Sequence, residues 1–133
     1  MIDIENDVFD HVATALRAAH TGIFVSFEHV PSPPRFPAVS IVEADNRVYE
    51  KMRTLDIENA VQLMYEVNIY SNKASGKKRE AKAIAATVDD AFTELGFTRT
   101  MREQVVNFAD ATIFRIVCRY EAVADKDLWI YYN

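Results

Sequence analysis

The sequence predicts an α+β fold: a mixed, mainly antiparallel β-sheet with an N-terminal helix and a long central amphipathic helix packed on it. Three observations predict it. Val61, Leu63, Tyr65, Val67 and Ile69 alternate with Gln62, Met64, Glu66, Asn68 and Tyr70, the period of a strand buried on one face. Ala81, Ile84, Ala85, Val88, Ala91, Phe92 and Leu95 then recur at helical spacing. Phe114, Ile116, Cys118 and Tyr120 return to period two, with Arg115, Arg119 and Glu121 between them. With 133 residues, the chain is expected to be a single domain, 1–133, with a core that needs neither disulfide nor metal.

The elements follow in order. A helix is expected from about Ile4 to Ala19, because Val8, Val12, Ala15, Leu16 and Ala19 form one apolar stripe. Asp3 is its candidate cap, early acids and late Arg17 suit its dipole, and Thr21-Gly22 stops it. Ile23–Val30 reads as a strand, followed by four prolines between Pro31 and Pro37 that make a stiff extended connector. A proline-rich ligand for a partner's aromatic groove is the weaker reading of that segment. Ala38–Glu43 is the second strand, with Asp45-Asn46 as its turn signal. Residues 47–59 are polar and weakly periodic, and are expected to form a long excursion. The third strand is Ala60–Tyr70 and the second helix Lys77–Leu95, closed by a left-handed Gly96. Phe97–Phe108 and Thr112–Val123 form an antiparallel pair. Leu128 to Tyr132 is apolar on both faces, which suits a central strand or one buried against another chain.

Composition narrows the function classes. A formal charge of −5 disfavours a surface wholly devoted to nucleic acid, though not a local basic patch. The single cysteine, Cys118, excludes an internal disulfide and fits a reducing compartment. The acidic opening Met1-Ile2-Asp3-Ile4-Glu5 does not read as a secretory leader, and no apolar run reaches the ~18 residues of a membrane span. These features predict a protein made in the cytoplasm.

Catalytic and metal chemistry finds little support. His11, His20 and His29 are spaced nine apart. On a helix that spacing turns the chain by about 900°, which would point His11 and His20 to opposite sides. Zinc requires converging ligands, so no metal and no cofactor are expected. Cys118 falls on the apolar face of a strand, where a free thiol behaves as a small hydrophobe. Three glycines, Gly22, Gly76 and Gly96, cannot build a phosphate cradle. Asp90 with Glu94, and Asp125 with Asp127, read as solvated neighbours rather than an acid–base pair.

The charge order of the second helix is different. Lys73, Lys77, Lys78, Arg79 and Lys82 gather at its start, and Asp89, Asp90 and Glu94 near its end. Both groups oppose the helix dipole, at a few tenths of a kcal/mol per exposed charge. Lys77, Lys78, Arg79 and Lys82, with Trp129 and Tyr131 from the aromatic C-terminal segment, are therefore the candidate interface residues.

A family resemblance rests on Phe36–Glu43, the Tyr65–Tyr70 strand with Ser71-Asn72, Gly76-Lys77-Lys78, Leu95-Gly96-Phe97, Asn107, Asp110–Ile113, Arg115 and Arg119-Tyr120. In this order they resemble the tail-terminator, or tail-to-head joining, proteins of long-tailed bacteriophages, over roughly Phe36 to Ala122. The resemblance implies a virion protein, not an enzyme, that assembles as a homo-oligomeric ring, typically a hexamer. Such a ring sits on the tail tube protein, stops its polymerisation and offers a surface to the head connector or neck protein. It implies assembly in the host cytoplasm and residence in the virion tail, with no catalytic residues to carry over. A neck protein contacting packaged DNA is the alternative. A small metal-dependent nuclease built on Asp90 or Asp110 is the weakest reading.

Overall fold

The computed structural model describes residues 2–49, 60–107, 110–125 and 130–131. Its elements run α1 (Glu5–Ala19), β1 (Phe24–Ser26), β2 (Ala38–Val48), β3 (Ala60–Ser71), α2 (Lys77–Leu95), β4 (Thr98–Val106), β5 (Phe114–Asp125) and β6 (Ile130–Tyr131). The strands form one sheet in the order β1-β2-β3-β5-β4, with β6 also on β5. Only β1–β2 is parallel; the other described pairings are antiparallel. β4 begins opposite Glu121 and β6 pairs with Val123 and Ala124, so the two lie end to end along one side of β5.

Both helices pack on one face of this sheet. The alternating residues of β3, from Val61 to Ile69, are fully buried there beside Ile116, Cys118, Tyr120, Ala122 and Ala124 of β5. Val8, Val12 and Leu16 of α1 and Ile84, Val88 and Phe92 of α2 close the core over them. Its centre is aromatic. Phe92 stacks on Tyr120 with ring centroids 4.3 Å apart, and meets Phe97 and Tyr65 at 5.2 and 5.9 Å. Each buried aromatic pair adds about 0.5–1.5 kcal/mol beyond its area.

α2 has the bounds its apolar stripe predicts. Gly96 ends it at φ 96°, and the Gly96 and Phe97 amides bond back to Thr93 and Phe92, which satisfies carbonyls the helix leaves open. At the start of α1, the Asp3 carboxylate accepts the Glu5 amide at 3.0 Å.

Three elements depart from their sequence expectations. β1 stops at Ser26, whose hydroxyl exchanges hydrogen bonds with the Glu28 backbone and turns the chain out of the sheet. β2 runs on through Asp45-Asn46 to Val48, because a bulge between Glu43 and Asp45 absorbs the expected turn. Beyond the bulge, the Asn46 amide donates to the Ile2 carbonyl at 3.0 Å and ties the N-terminal segment to the sheet. Third, His11 and His20 both contact α2: His11 Nε2 lies 3.8 Å from Glu94, and His20 Nε2 is 2.9 Å from Thr87 Oγ1. His20 sits beyond the helix in extended backbone, so helical rotation no longer governs it. These two contacts also show that α1 and α2 run antiparallel.

The proline segment is held by its own chain. Phe24 N–H bonds to the Pro37 carbonyl, and Arg35 donates to Gly22 while lying over the Phe24 ring. Val30 and Pro33 line a small crevice with Ser40 and Tyr70 on the sheet face away from the helices. Most of the 47–59 excursion, from residue 50 on, lies outside the described residues.

Candidate assembly surface

The basic start of α2 divides into bound and free charges. Lys77 is half-buried, and its Nζ donates to the Thr112 carbonyl at 2.8 Å, joining the helix to the β4–β5 connection. Lys78, Arg79 and Lys82 are exposed and have no hydrogen bond or ion pair among the described residues. Lys78 and Lys82, one turn apart, line a cleft of about 280 Å³ with Arg102, Glu103 and Gln104 of β4 and with Phe114 and Ile116 of β5. Arg102 reaches this cleft because the bulge between Arg99 and Met101 shifts the β4 register and sets it opposite buried Cys118. Trp129 lies outside the described residues. Tyr131 is placed only by its backbone, opposite Val123.

The acidic end of α2 is partly compensated. Asp89 Oδ1 accepts from Arg99 at 3.3 Å and from the Tyr120 hydroxyl at 3.1 Å. Burial, first, with the Asp89 charge among the lesser causes, pushes the Tyr120 phenol far above its usual range, so it stays a donor. Glu94 has only the longer contact to His11, and Asp90 is exposed without a partner among the described residues. The reversed charge order is therefore resolved within the fold at Lys77 and Asp89. It is unresolved at Lys78, Arg79, Lys82 and Asp90.

The sheet face away from the helices carries a polar ladder that the strand period suggests but cannot align. Arg115 donates twice to the Asn68 side-chain oxygen, at 2.9 and 2.6 Å, and lies over Tyr70. Asn68 reaches Glu66 at 3.4 Å, and Glu66 pairs with Arg119 at 3.3 Å. The β3–β5 register creates this ladder by setting Asn68 opposite Val117 and Glu66 opposite Arg119.

The catalytic candidates are not brought together. Asp110 accepts from the Thr112 amide and hydroxyl, and those bonds lower its pKa; it caps a turn beside the start of α2. Asp90 lies thirteen residues along the helix from Lys77, about 20 Å away. Burial raises the Cys118 thiol above its usual range. Among the described residues no group of three His, Cys, Asp or Glu could hold a metal ion, and no helix is long and apolar enough to cross a membrane.

The described residues thus combine an α+β fold with exposed basic charge at the start of α2 and exposed acidic charge near its end. The chain belongs to the family described as tail completion protein gp17, whose profile matches residues 7–125. It is thus a structural virion protein of a bacteriophage tail. No curated protein matches it.

Proposed function

We propose that this one-domain subunit ends tail growth by forming a closed homo-oligomeric ring, expected to be a hexamer, on the end of the tail tube. One face of the ring covers the last layer of tube protein; the other receives the head connector. Assembly in the host cytoplasm precedes incorporation into the virion. The protein works by binding and catalyses no step. Lys77, Lys78, Arg79, Lys82, Trp129 and Tyr131 are the proposed contact residues, with Lys77 acting through the local structure it anchors.

The observation that carries this reading is the free basic rim of α2. Lys78 and Arg79 sit in the first turn, where the dipole disfavours them, and neither forms an ion pair with a carboxylate among the described residues. A partner surface that meets these charges would account for the arrangement. In the test, the protein is added to polymerising tail tube protein and tube lengths are measured by electron microscopy. Capping predicts arrested growth with extra density at one tube end. Unchanged elongation and bare ends would refute it.

A second reading draws on the convergence of Lys78, Lys82 and Arg102 on one cleft: a neck protein that touches packaged DNA. It predicts DNA binding that weakens steeply with salt and is lost when these three residues are replaced.

A further inference from the structure

The antiparallel helix pair aligns charge across the whole helical layer. His11–Glu94 and His20–Thr87 set the first turns of α1 beside the last turns of α2. Asp7 from α1 therefore joins Asp90 and Glu94 from α2 at one end, and all three are exposed. Lys78, Arg79 and Lys82 stand toward the other end, about 12–24 Å from Asp90 and Glu94 along α2 at 1.5 Å per residue. Asp89 is satisfied internally by Arg99, and Glu80, in the first turn of α2, by Ser71. What remains exposed at the two ends is opposite in sign.

We infer that the partner of the basic rim is the acidic end of the same helical layer in a second copy of this chain, in a head-to-tail contact. The inference rests on the ring reading above and specifies which surfaces close the ring. Two different patches on one subunit make a heterologous contact, the type that generates rings when the rotation closes. An isologous contact through either end alone would set like charges against each other, at several kcal/mol per close juxtaposition, whereas a two-fold contact along the whole layer would pair opposite ends but close as a dimer, which the oligomer mass distinguishes. Charge complementarity between the ends selects a second copy over an unrelated partner.

The test is a charge swap on the full chain, read as binding to purified tail tubes and as oligomer mass at about physiological salt. Lys78→Glu/Arg79→Glu leaves both ends of the layer acidic, and Asp90→Lys/Glu94→Lys leaves both basic. Both pairs of changes favour the α2 dipole, so folding is retained. Each variant alone should assemble about 100-fold more weakly than the wild type. An equimolar mixture of the two should recover assembly, because opposite ends again meet. The chain carrying all four substitutions should recover it alone.

Unimpaired assembly by both variants, with the wild type capping tubes normally, would overturn this contact and leave the ring standing. Loss in the basic-end variant without recovery by mixture or by the fourfold variant, together with loss of salt-sensitive DNA binding, would overturn it in favour of nucleic acid. Failure of the wild type to join tubes would overturn the ring and this contact together.

Discussion

Reversing two charges at the start of α2 should strengthen the folded monomer while weakening its assembly. Lys78 and Arg79 occupy the second and third positions of the helix, where the dipole is most felt. Moving each from positive to negative is worth about 0.5–1 kcal/mol at exposed sites. Lys78 and Lys82 also form a like-charge pair one turn apart. The reversal turns that pair into a favourable one, a change of a few tenths of a kcal/mol. The sum is about 1–2 kcal/mol in favour of the folded monomer. At roughly 2.1 cal/mol/K per residue, a 133-residue chain unfolds with an entropy near 0.28 kcal/mol/K, so Tm should rise by about 4–7 °C. Calorimetry on monomeric Lys78→Glu/Arg79→Glu reads the rise, and the tube-length assay reads the weakened capping. A fall in Tm would refute the claim that these charges oppose the helix. A rise in Tm with undiminished capping would refute their role in contact.

Other expected outcomes follow from the core and from buried titratable groups. Phe92→Ala removes a fully buried ring that meets three other aromatics, and should cost about 3–5 kcal/mol in denaturant unfolding; a loss below about 1 kcal/mol would contradict the aromatic core. Burial, and then the Asp3 and Glu5 charges, raise the Glu43 pKa despite its bond from the Tyr65 hydroxyl. Its folded form thus holds the proton more tightly than the unfolded chain does. Stability should fall as pH rises from the ordinary carboxylate range through the raised value. Glu43→Gln keeps an acceptor for Tyr65 and should raise Tm at neutral pH, with the gain vanishing by about pH 4; an equal gain at both would sink the assignment. Cys118 should react with a thiol reagent only as fast as the core opens, and rapid labelling of the native protein would contradict its burial.

The sequence carried the fold where local signals agreed. α2 combines a continuous apolar stripe with a glycine at each end, Gly76 and Gly96, both at positive φ, and its limits could be read directly. β3 was equally legible, since unbroken alternation and an apolar start left no competing period. β2 was not, because Asp45-Asn46 is a turn signal in isolation. The neighbouring β3 overrides it by offering partners to both residues across a bulge. The histidines show the same limit: a helical wheel describes His11 but not His20, which has left the helix.

The candidate surface was half legible. The crowding of Lys78, Arg79 and Lys82 is plain in the sequence, whereas Arg102 joins them only through the β4–β5 register, and Asp89 finds Arg99 by the same pairing. Lys77 resembled its neighbours in sequence, yet its ammonium is committed to the Thr112 carbonyl. Such assignments depend on contacts distant along the chain, where neither spacing nor propensity carries information.

We propose that copies of this chain close one end of a tail tube. Cryo-electron microscopy of tubes assembled with the protein, with copies counted at each end, tests it most directly. A single closed layer of several identical copies at one end is the predicted result. Isolated subunits, binding along the tube wall or equal occupancy of both ends would contradict it.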